Sequence, residues 1–95
     1  MAVLERAEIT AKPGQAGNIL SALQNQGLAL LRSIPGCHSA EAGIGIESPD
    51  KILLLVEWDS LSAHDAFKKM PEYATLGSLF GAHAAGGSVE HFDMA

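Results

Sequence analysis

Lys51-Ile52-Leu53-Leu54-Leu55-Val56-Glu57-Trp58-Asp59-Ser60 is the stretch whose reading decides the fold of this chain. Five aliphatics, Ile52 to Val56, follow one another without polar alternation and run straight into Glu57 and Trp58. A strand with one wet face alternates apolar and polar residues, so this one is expected to be buried on both sides. A chain of 95 residues has too few helices to cover both faces of a sheet, and the natural cover for the second face is another copy of the same chain. The run therefore predicts a homodimer.

Working outward, Val3, Ala7, Ile9 and Ala11 share one side of an imperfect alternation that ends at Pro13-Gly14, a first strand closed by a turn. From Gln15 the period changes. Ala16, Ile19, Leu20, Leu23, Gly27, Leu30, Leu31 and Ile34 fall at three- and four-residue spacings, predicting an amphipathic helix of about five turns closed by Pro35-Gly36. Cys37 to Glu47, with Ala40, Ala42, Ile44 and Ile46 on one side, turns at Ser48-Pro49-Asp50 into the aliphatic run, which predicts a hairpin. Gly43 and Gly45 mark a bulge or a close backbone approach.

Beyond Trp58, Asp59 or Ser60 is placed to cap a short helix running to Met70, with Ala63, Ala66, Phe67 and Met70 on its apolar side. Pro71 then opens a second short helix, Glu72 to about His83, striped by Tyr73, Leu76, Leu79 and Phe80. Ala84-Ala85-Gly86-Gly87 reads as a flexible link, and Ser88 to Phe92 alternates as a last strand. Strand, helix, strand, strand, short helices, strand is the α+β, ferredoxin-like βαββαβ order: a four-stranded antiparallel sheet with helices on one face, in a single domain spanning 1–95.

Composition excludes several function classes. Six basic residues and a net charge of −5 do not make the clustered cationic surface that phosphate binding needs, so no nucleic-acid partner is expected. No segment approaches the roughly 18 apolar residues of a membrane span, and the N-terminus lacks a basic-then-apolar leader, so a soluble cytoplasmic protein with no membrane partner is expected. Cys37 is the only cysteine. It forms no internal disulfide and reads as a small apolar filler at a strand start.

Four segments together resemble one family: Lys12-Pro13-Gly14; Ile34-Pro35-Gly36-Cys37; Leu55-Val56-Glu57-Trp58-Asp59-Ser60 with Ala63-His64-Asp65-Ala66-Phe67; and Val89-Glu90-His91-Phe92. The pattern is similar to the antibiotic biosynthesis monooxygenases (ABM domains), dimeric α/β barrels. The resemblance covers nearly the whole chain, and the aliphatic-Glu-Trp-Asp-Ser block is its most specific piece. It implies a homodimer whose two sheets close into a barrel, with a pocket in each protomer between sheet and helices. It also implies oxidation of an electron-rich aromatic, a quinol or polyketide-like molecule, by O₂ without metal, flavin or other cofactor. In the haem-degrading branch an Asn, a Trp and a His act at positions corresponding to Ala7, Phe67 and Gly77, which disfavours that chemistry. Where many quinol oxygenases carry histidines, this chain has Phe67 and Glu72.

Such chemistry needs a flat apolar pocket and a group to take a phenolic proton. An imidazole titrating near about 6.5 suits the second task, so His64 and His83 are the candidate proton acceptors. Trp58, Phe67, Tyr73 and Phe80 are the candidate pocket walls for a small apolar or aromatic ligand. His91 reads as a strand or dimer-contact residue and His38 is uncommitted. No histidine pair has helical ligand spacing, so no metal site is expected. Glu57 is expected to pair with Arg6 or Arg32. The alternative from another class is a non-catalytic binding or structural dimer in which the same aromatics close the core. An isomerase of phosphorylated or keto compounds ranks below both, since it would need cations at the pocket.

Overall fold

In the computed structural model, which describes residues 2–95, one antiparallel sheet carries every helix on a single face. Strand β1 (Val3–Ala11) leads through Gly14, which takes a positive φ of 77°, to α1 (Ala16–Ala22), a π-helical turn (Leu23–Gly27) and α2 (Leu28–Arg32). Then come β2 (Cys37–Ile44), β3 (Lys51–Trp58), α3 (Leu61–Phe67), α4 (Pro71–Ser78) and β4 (Ala84–Asp93). The sheet order is β2-β3-β1-β4. This is the ferredoxin-like arrangement that the element order predicts.

The aliphatic run of β3 splits cleanly between two faces. Ile52, Leu54, Val56 and Trp58 are buried beneath the helices, where they meet Ile19, Leu23, Leu31 and Phe67 in one core. Leu53 and Leu55 point the other way and are half-buried on a face that carries no helix. Leu4, Arg6, Glu8, Glu90 and Phe92 share this second face through the registers Leu4↔Glu57, Arg6↔Leu55, Arg6↔Glu90 and Leu4↔Phe92. Arg6 pairs there with Glu8 and Glu90, and Lys51 Nζ lies 3.7 Å from Glu8.

The expected pairing of Glu57 is corrected by these contacts. Arg6 is taken by Glu8 and Glu90, and Arg32 reaches back from α2 to donate to the Ala40 carbonyl at 2.7 Å. Glu57 sits instead on the open face, opposite Leu4.

The first helix is not uniform. Its middle widens into a π turn ending at Gly27, where a Cβ would stand 2.9 Å from a Leu23 methyl and 3.4 and 3.5 Å from methyls of Leu76 and Leu79. Helical periodicity alone does not distinguish a π turn from an α turn, because the extra residue shifts the apolar stripe by less than the stripe's width.

Ala84 to Gly87 corrects another expectation. The segment is the first part of β4, paired as Ala11↔Ala84, Thr10↔Gly86 and Ile9↔Gly87, with a register shift between Thr10 and Ala11. A Cβ at Gly87 would lie 2.7 Å from the Glu8 carbonyl oxygen, so glycine here permits close strand pairing. Gly45 likewise lets the hairpin loop fold back, with the Ser48 carbonyl oxygen 2.3 Å from a would-be Cβ. The bulge in β2 falls between Cys37 and Ser39, away from Gly43.

Candidate active site

Ser60 sets the phase of the helix that carries the site. Its Oγ accepts from the Ala63 N–H at 3.2 Å and starts α3 at Leu61. His64 and Phe67, three residues apart, then turn together toward the sheet and are buried, while Asp65 and Lys68 turn outward and pair at 3.5 Å. The helix ends at Phe67, a turn earlier than its apolar spacing suggests, and Pro71 opens α4 at its first residue.

Beneath His64 lies a residue that the sequence reading passed over. Glu5 of β1 points under the helices and is only 8% exposed. Its Oε1 accepts the indole N–H of Trp58, itself fully buried, at 2.9 Å, and lies 3.4 Å from His64 Nε2. On the other side, His64 Nδ1 is 3.2 Å from Nε2 of His91, which β4 brings beside Glu5 in register. The rings of His64 and His91 are 4.6 Å apart, and the edge of Trp58 meets His64 at 5.4 Å.

One tautomer satisfies every contact. An Nε2–H on His64 faces the carboxylate, the Nδ1 lone pair accepts from His91 Nε2–H, and His91 Nδ1 is left free to accept. Burial holds the His64 imidazole below its ordinary 6.5. The Glu5 charge opposes this, while His91 and Lys68 add to it and Asp65 counters. Neutral His64 is therefore the resting form at pH 7.

His91, His64 and Glu5 border a groove between the sheet and the two short helices. One lobe, about 270 Å³, is lined by Phe67, Tyr73, His64 and His91. The other, about 370 Å³, runs on past Tyr73 to Phe80, Gly77, Ala7 and Ile9. Glu5, Leu54, Tyr73, Leu76 and Val89 belong to both, so the lobes form one continuous depression with mostly apolar walls.

The structure brings together only some of the residues singled out from sequence. Phe67, Tyr73 and Phe80 line the groove, with the Tyr73 ring edge-on to Phe67 at 5.4 Å. Trp58 lies behind the wall and aims the Glu5 carboxylate. His83 borders neither lobe. Its Nδ1–H donates to Gln15 Oε1 at 2.9 Å and its carbonyl accepts from the Lys12 N–H, tying the turn before β4 to the turn after β1. His38 pairs with Asp59 on the surface. Burial pushes the Cys37 thiol up, which keeps it protonated and inert as a filler should be.

Residues 2–76 match the family model described as antibiotic biosynthesis monooxygenase. The chain belongs to the antibiotic biosynthesis monooxygenase family. Solved structures agree with this fold. A Bordetella bronchiseptica protein provisionally named for the family superposes with a TM-score of 0.91 at 24% identity, over 99% of this chain and 97% of that one. Similarly named proteins from Chloroflexus aurantiacus (TM-score 0.82, 21% identity, 100% and 94% covered) and Deinococcus radiodurans (0.83, 15%, 98% and 92%) share the architecture. A search of curated proteins finds no match. Among the described residues no helix is long and apolar enough to cross a membrane.

Proposed function

We propose that this ABM protein is a cofactor-independent monooxygenase that oxidises a flat, electron-rich aromatic, a quinol or an anthrone-like polyketide, with O₂. One observation carries the reading: a chain of polar contacts, Trp58–Glu5–His64–His91, hydrogen-bonded at both ends and joined in the middle by the 3.4 Å approach of Glu5 to His64, begins in the core and ends on the wall of an apolar groove. His91 Nδ1 takes the acidic proton of the substrate, and the Nε2 proton of His91 moves to His64 Nδ1. The positive charge then rests on His64 beside the Glu5 carboxylate, where it is compensated. His91 touches substrate, whereas His64 and Glu5 act through it. The substrate anion supplies the electrons to O₂. For an anthrone, one oxygen atom enters as a ketone and the other leaves as water with the two hydrogens of the oxidised methylene.

The working unit in this proposal is a homodimer. Leu53, Leu55 and Leu4 stand half-buried on a helix-free sheet face ringed by the Arg6, Glu8, Glu90 and Lys51 charges, a mixed apolar and charged surface of the kind that a twin subunit covers.

The test is O₂ uptake by protein stripped of metal with EDTA, offered hydroquinones and anthrones. Uptake of one O₂ per substrate, with one labelled oxygen atom in the product, is expected. His91 is exposed, so His91→Ala should fold and lose about 10²–10⁴ in kcat/KM. Groove binding of these aromatics without any O₂ uptake would instead establish a non-catalytic binder.

A further inference from the structure

Glu5, His64 and His91 have a second capability that the proposed oxidation does not use. Two imidazoles and a carboxylate, one donor atom from each, lie within 4.8 Å of one another. We infer that this trio is a chelating site for a first-row divalent transition metal such as Co²⁺, Zn²⁺ or Ni²⁺. With metal–ligand bonds of about 2.0–2.2 Å, neighbouring donor atoms in a tetrahedral site stand about 3.3 Å apart. Glu5 Oε1 and His64 Nε2 are already 3.4 Å apart. His91 Nε2 is 3.2 Å from the other nitrogen of His64, so the trio closes when the exposed His91 ring swings toward the Glu5 side. The two donors at the buried end keep their places, with His64 moving its hydrogen from Nε2 to Nδ1 as the metal binds.

The donor set selects the ion. Imidazole nitrogens favour Zn²⁺, Co²⁺, Ni²⁺ and Cu²⁺ over Mg²⁺ or Ca²⁺, which seek oxygen ligands. Trp58 supports the site from behind, because its N–H fixes the rotation of the carboxylate on the oxygen that faces His64. Three protein ligands leave the remaining coordination positions open toward the groove. The sequence hid this arrangement because the ligands come from β1, α3 and β4, with no short spacing between any two.

The test titrates tag-free protein, previously dialysed against EDTA, with CoCl₂ alone. Binding is followed by equilibrium dialysis and by the visible absorption of Co²⁺. One ion per protomer is expected, with the intense bands of a four- or five-coordinate nitrogen-containing site. His91→Ala and Glu5→Gln should each weaken binding roughly tenfold or more, whereas His38→Ala should not change it. Replacing buried His64 risks the fold, so the exposed His91 carries the decision. Equal affinity in wild type and His91→Ala, or a spectrum that stays that of the hydrated ion, overturns the site. No substrate is present in the titration, so its failure leaves the proposed oxidation standing, and a failure of O₂ uptake leaves the metal site standing.

Discussion

Removing the Glu5 carboxylate should cost the fold far more than removing its charge. In Glu5→Ala, the fully buried Trp58 indole N–H loses the acceptor that stands 2.9 Å away in the native protein, and an unsatisfied buried donor costs about 1–3 kcal/mol. His64 can partly escape by moving its hydrogen to Nδ1 while the exposed His91 moves its own from Nε2 to Nδ1, so its loss is smaller. The vanished methylenes leave a void beneath α3, and relief of a buried charge offsets part of the total. The balance is a destabilisation of about 2–3 kcal/mol, which lowers Tm by about 8–24 °C in a domain of this size. Glu5→Gln keeps a carbonyl oxygen for Trp58 and should cost about 1 kcal/mol or less. Thermal unfolding by circular dichroism, at one protomer concentration for all variants, separates the cases. If Ala and Gln unfold together, or if Ala costs under about 1 kcal/mol, the carboxylate is not what holds Trp58 and His64 in place.

Other outcomes follow from the same contacts. Because His64 is held below 6.5 in the folded state, the unfolded chain takes up its proton first as pH falls. The stability of metal-free protein should be complete above 6.5 and decline below it, down through the lowered folded value, by at most about 1.4 kcal/mol per pH unit for this one group. The charges of Glu5, His91, Lys68 and Asp65 all act on His64, so His64→Gln is the control, and an unchanged slope in that variant refutes the assignment. Leu55→Arg, on the helix-free face, should leave the fold intact and give a monomer in sedimentation; a wild type that is already monomeric refutes the dimer. Gly36→Ala should cost at least about 1–2 kcal/mol in urea unfolding, since Gly36 has φ 88° and a Cβ there would stand 2.6 Å from the Ala63 Cβ. A neutral substitution would refute that account of the turn.

The order of elements was legible because periodicity and turn chemistry act locally. The change from alternation to a helical stripe after Pro13-Gly14, the Ser60 cap and Pro71 at a helix start all fixed structure within a few residues. The site was legible only in part. Glu5 lies on the same parity as Val3, Ala7, Ile9 and Ala11, so a carboxylate pointing inward was visible in β1 as an interruption of the buried side. Its partners were not visible, because a strand's register depends on long-range pairing, and only the β1–β4 register sets His91 opposite Glu5. His64 could be placed beside the groove from sequence because it lies one helical turn before Phe67 on the same short helix. His83 shared its chemistry but was drawn to Gln15 at the far turn. Gly86-Gly87 resembled a linker because glycine serves both loose chain and tight strand contact, and only the neighbouring Glu8 carbonyl tells the two apart.

On the proposed function, Gly27 separates substrate choice from chemistry. The π turn ends there against Leu76 and Leu79, and α4, which roofs the groove, has Leu76 as its one buried side chain. A larger side chain at position 27 would lever that roof upward without disturbing β1 or β4, which carry Glu5 and His91. The breadth of molecules admitted could thus drift over time through a single remote position while the reacting machinery stayed fixed.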